Sequence, residues 1–141
     1  MEILKPLAVL AGWTMIMWVW MYATRIPAIN KLPKPTEPGG DQGWTGAMLE
    51  GLIPREVQWK AHNYNHLHEA PTLFYAVVAV LALAGQGNGV SVQVAWAYVG
   101  LRVAHSLVQA TVNKVMLRFA LFGLSSLALI ALIFHAARVV F

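Results

Sequence analysis

The stretch from Ala70 to Leu101, APTLFYAVVAVLALAGQGNGVSVQVAWAYVGL, carries no charged residue. Its middle, Gly85-Gln-Gly-Asn-Gly89, is a turn signal, so it reads as two helices meeting at a tight turn. A bilayer core about 30 Å thick takes about 20 apolar residues per helix. With the adjoining residues each arm reaches that length, over 62–85 and 90–113. Two further spans flank this hairpin. The first, 6–27, is uncharged from Pro6 to Thr24; Pro6 suits a first helical turn, and Pro27 is expected to stop the helix just after Arg25. Its length and its Trp13, Trp18 and Trp20 argue for an uncleaved span rather than a signal peptide. The last span covers 116–139. The expected fold is therefore all-α, a single integral membrane domain over 1–141 built as a four-helix bundle. Its one soluble-looking part is a loop over 28–55 with Pro33, Pro35, Pro38, Gly39, Gly40 and Gly43, and with a short helical turn from Trp44 to Glu50.

Composition agrees. Hydrophobic residues make up 58% and charged residues 11%, with mean hydropathy +0.57; a soluble domain carries about 25% charge. The net charge of +4 comes from ten Lys and Arg against six acids, a surplus too small and too dispersed to point to nucleic acid. Instead the bases sort by position. Arg25, Lys31, Lys34, Arg55, Lys60, Lys114 and Arg118 flank the first and third connections, whereas only Lys5 and Arg138 lie at the opposite end. The positive-inside rule then predicts a multi-pass protein with both termini outside and the long loop in the cytoplasm, its bases against anionic lipid. With no cysteine, a disulfide framework, a thiolate metal site and a Cys nucleophile are excluded.

Polar residues at membrane depth carry the functional signal. His62, Asn65, His66 and Glu69 fall at i, i+3, i+4, i+7 on one helix face, and Arg102, His105, Gln109 and Asn113 share a face of the next helix. At about 1.5 Å per residue from the shared turn, Glu69 lies roughly 24 Å and Arg102 roughly 20 Å down. An isolated arginine at mid-membrane costs about 2.5–3.5 kcal/mol even on the lenient insertion scale, so a Glu69–Arg102 pair is expected. Such a pair could be a simple staple between two helices. The number of polar groups exceeds one staple and points to a pocket open to the cytoplasm. Arg118, at the start of the last helix, reads either as a snorkelling anchor or as part of that pocket.

Two other classes stay open on the residues alone. His62 and His66 have the i, i+4 spacing that shares a metal, with His105 as a possible further ligand, although a membrane di-iron enzyme needs more than the five histidines present. A non-catalytic membrane subunit or ligand-binding scaffold would also suit a chain without a soluble catalytic domain.

Asn65-His-Leu-His-Glu69-Ala-Pro71-Thr-Leu-Phe-Tyr75, then Leu101-Arg-Val-Ala-His-Ser106 followed by Asn113 and Arg118, resemble the MAPEG family, the microsomal glutathione transferases, leukotriene C synthase and their bacterial relatives. With the four-helix plan, the resemblance covers nearly the whole chain. It implies a homotrimer in membrane lipid that binds glutathione between subunits and conjugates or reduces hydrophobic small molecules. It also implies that Arg118 stabilises the glutathione thiolate and that Arg102, Asn65 and Glu69 hold the tripeptide or brace its site. Gln109 falls where better-known members carry a tyrosine, and His105 lies one turn before it. Lys60 or His62 stands near a family arginine, and Arg25 is similar to a basic residue ending helix one. A free thiol titrates near about 8.5, and a guanidinium, charged at every working pH, favours the thiolate.

Overall fold

A computed structural model describes residues 1–33 and 46–141. The described chain is helical without strands: α1 Leu4–Asn30, a 3-10 turn Ala47–Leu49, α2 Arg55–His66, α3 Ala70–Leu83, α4 Val90–Ala110 and α5 Val115–Val140. The expected turn from Trp44 to Glu50 is observed in part, as this 3-10 turn; Trp44 and Thr45, with Lys34, Pro35, Pro38, Gly39, Gly40 and Gly43, lie outside the described residues. α1, α2 with α3, and α5 are long and apolar enough to cross a membrane. α4 has 21 residues, about 31 Å of helix, but Gln93, Arg102, His105 and Gln109 reduce its apolar character.

Two expectations need correcting. Pro27 does not stop α1, which runs on to Asn30. A proline this near the C-terminus removes one backbone bond and leaves the last turn intact, since Lys31 and Leu32 donate to Ala28 and Ile29. The expected span 62–85 is broken into α2 and α3. Pro71 has no N–H for the Leu67 carbonyl and disfavours helical geometry at the preceding residue. The chain from His66 to Thr72 accordingly uses i to i−3 bonds, His68 to Asn65, Glu69 to His66 and Thr72 to Glu69. Glu69 adopts φ −91, ψ −100.

The helices alternate in direction, so both termini and the 85–89 turn lie at one end. There Gly85 and Gly89 take φ of +74 and +71, open to glycine at little steric cost. The buried Ile3 donates its backbone N–H to the Gly87 carbonyl at 3.0 Å, and Ser91 on α4 meets His135 Nδ1 on α5 at 2.6 Å. The apolar core occupies this half: Ile3, Leu10, Phe74, Val78, Leu81, Tyr98, Val99, Leu129 and Leu132 pack together. The Phe74 and Tyr98 rings stack 4.5 Å apart across α3 and α4.

The outside is also apolar. Ile16, Val19 and Ile26 on α1 and Phe119, Leu127, Ile130 and Phe134 on α5 are exposed, while Arg102, His105, Ser106 and Gln109 are buried. That inversion suits a chain surrounded by hydrocarbon. Thr14 and Thr24 satisfy their hydroxyls on the carbonyls of Leu10 and Trp20, a bond within the helix that needs no water. Phe74 is fully buried, so Phe74→Ala should destabilise the bundle by about 3–5 kcal/mol, read as a lowered midpoint of thermal unfolding in detergent.

Candidate functional site

The opposite end holds the polar side chains. α4 turns Arg102, His105 and Gln109 inward at successive turns, and the chain then reverses through Asn113, which takes φ +48, a left-handed conformation that asparagine tolerates well. This reversal sets the Asn113 side chain against the first turn of α5, where its Oδ1 accepts a hydrogen bond from Arg118 Nη1. The Arg118 guanidinium is thus oriented by its own connecting turn rather than left to snorkel.

Arg118 lines an open groove of about 220 Å³ with His66, His105, Val115, Phe119 and Phe122. The imidazoles of His66 and His105 lie 5.0 Å apart between centroids, and Phe122 lies 5.8 Å from His66 and 6.5 Å from His105. The groove thus brings together one guanidinium, two imidazoles and three apolar side chains, with Arg118 on the same helix as Val115, Phe119 and Phe122.

The broken helix supplies the rest. His66 ends α2, and its Nδ1 bonds Glu69 Oε2 at 2.9 Å. The expected Glu69–Arg102 ion pair does not form: the irregular turn before Pro71 carries Glu69 outward, where its side chain is 67% exposed. Arg102 is fully buried and donates from Nη2 to the His66 carbonyl at 3.4 Å. Its Nε and Nη1 have no protein partner among the described residues, nor does the buried Oε1 of Gln109.

Of the residues singled out in the sequence, Arg118 and His105 share the groove, with Arg102 and Gln109 buried behind it and Glu69 at its edge. Asn65 is exposed near the end of α2. Lys60 and Arg25 belong elsewhere. Lys60 Nζ lies 5.0 Å over the Trp20 ring and donates to the Glu56 and Ala110 carbonyls. The Arg25 guanidinium lies beside Gly46. Sequence reasoning placed His66 on a stripe lining the expected pocket but gave it no role, and missed Phe119 and Phe122; the i, i+3 spacing of His66 and Glu69 was the available signal. It also missed Asn63, buried with both amide atoms unpartnered. Among the described residues no three His, Asp or Glu side chains are grouped to hold a metal.

The sequence model of the MAPEG family matches residues 3–138. No curated protein and no solved structure matches the chain.

A second polar cluster ties the first connection to α2. Glu50 Oε1 meets His62 Nε2 at 2.5 Å. The hydrogen bond from His62, aided by Gln58 and by the charges of His62 and Arg25, holds the Glu50 carboxyl below the usual carboxylate range. A carboxyl lowered in the folded state stabilises it above the unfolded value of about 4.3 and loses that contribution as pH falls. Limited proteolysis between Gly46 and Pro54 should therefore accelerate below about pH 4, and Glu50→Gln should remove the pH dependence.

Proposed function

The chain belongs to the MAPEG family, and from that membership and the groove at Arg118 we propose that it is a membrane-bound glutathione-dependent transferase or peroxidase acting on hydrophobic electrophiles. The observation that carries the proposal is the position of Arg118: a guanidinium held by Asn113 beside an apolar wall of Val115, Phe119 and Phe122. A water-soluble thiol and a lipid-dissolved electrophile can meet at such a boundary. The unpartnered Nε and Nη1 of Arg102 suit a carboxylate, and the Gln109 carbonyl suits an amide N–H. Glutathione supplies the reactive sulfur; Arg118 favours its anion by charge, which requires no proton transfer to the arginine.

The proposal extends to assembly and sidedness. A homotrimer would cover part of the apolar surface of α1 and α5 and close the groove, which is open within one chain. The base-rich end, with Arg25, Lys31, Arg55, Lys60, Lys114 and Arg118, would face the cytoplasm and anionic headgroups. The rival of a non-catalytic subunit or scaffold is favoured by Lys60, whose ammonium is already occupied by two carbonyls and Trp20.

Titration of glutathione into the detergent-purified protein near pH 7 decides between them. A free thiol with a pKa of about 8.5 is only about 3% thiolate at that pH. The transferase proposal expects a saturable ultraviolet thiolate signal well above this, reduced at least about tenfold in Arg118→Leu with assembly unchanged. A folded protein without that signal would leave the scaffold as the better account.

A further inference from the structure

We propose that His66 is the base that takes the thiol proton, with Glu69 as its positioning carboxylate, an inference that rests on the thiolate-forming function proposed above. The hydrogen bond from His66 Nδ1 to Glu69 Oε2 is 2.9 Å. An ionised carboxylate can only accept, so Nδ1 carries the ring proton and Nε2 of the neutral ring keeps its lone pair. Nε2 has no protein hydrogen bond among the described residues, and the ring it belongs to lines the same groove as Arg118. Imidazole geometry puts the two nitrogens on opposed edges, so a bond to the exposed Glu69 leaves Nε2 on the edge away from it.

The placement divides thiol activation between two residues. Arg118 stabilises the anion but, being always protonated, cannot accept a proton. His66 can. The S–H bond breaks with its electron pair left on sulfur, an N–H bond forms at Nε2, and Glu69 balances the imidazolium. The proton then passes to water or returns to a leaving oxygen. Glu69, with its side chain 67% exposed within one chain, puts this pair at the rim of the groove. His105 shares the groove, but no carboxylate pairs with its ring among the described residues.

Every charged or titratable neighbour bears on His66. Arg102 donates to its backbone carbonyl, Arg118 and His105 face the groove beside it, and Glu69 holds its Nδ1. The two arginines oppose the imidazolium and Glu69 favours it.

Two measurements test the proposal. In the ligand-free protein, nitrogen NMR of labelled histidine should show the neutral His66 ring protonated at Nδ1, and exposed Glu69→Gln should remove that preference without unfolding the chain. In stopped flow with glutathione, His66→Gln should slow thiolate formation about 10²-fold or more and flatten its pH profile. The final thiolate amplitude should remain, because Arg118 is untouched, and added imidazole should restore part of the rate. A ring protonated at Nε2, or wild-type thiolate kinetics in folded His66→Gln, overturns the role of His66 and leaves the transferase proposal standing. A wild-type protein that forms no thiolate overturns both.

Discussion

A guanidinium buried in a membrane bundle must find acceptors, and Arg102 finds one where the neighbouring helix is broken. In an unbroken helix the His66 carbonyl would be turned to its own ladder. Pro71 prevents that, the chain between α2 and α3 shifts to tighter bonds, and the His66 oxygen accepts from Arg102 as well as from Glu69. The same break displaces Glu69 outward and brings its carboxylate to the His66 ring. The arginine's acceptor, the histidine's carboxylate partner and the edge of the groove thus all lie at the break.

The two ends of the bundle have different tasks. At the end of the 85–89 turn, Phe74, Tyr98, Leu10 and Leu132 fill the interior, and dispersion within a close-packed core does most of the holding. At the other end the interior is polar and incompletely paired, with Asn63, Arg102, Ser106 and Gln109 all presenting buried atoms without protein partners. Unpaired polar atoms are expensive where water is excluded. Two further unpartnered atoms, Trp13 Nε1 and the Tyr98 hydroxyl, belong to the apolar core and its border, so the imbalance between the two ends is one of degree.

The membrane class and the hairpin turn were legible in the sequence because charge-free length and glycine punctuation are local signals. The inward stripe of Arg102, His105 and Gln109 was legible for the same reason, since α4 is regular and its period holds. The second stripe was not. Its assumed period required an unbroken helix through Glu69, and Pro71 cancels that assumption two residues later. Phe119 and Phe122 escaped notice because an apolar residue on an apolar helix carries no mark of which side it faces. Lys60 looked like a site residue by position, and only the fold shows its ammonium turned to Trp20 and the end of α4.

The bond between Ile3 and Gly87 also constrains how the molecule is made. Ribosomes deliver the chain from the N-terminus, so α1 enters the lipid while the residue that anchors its start is still untranslated. Its N-terminal hook closes only after the α3–α4 hairpin has been synthesised and inserted. Until then Ile3 has neither its carbonyl partner nor the packing around it. The start of the oldest helix is thus fixed in the finished fold by the middle of the chain.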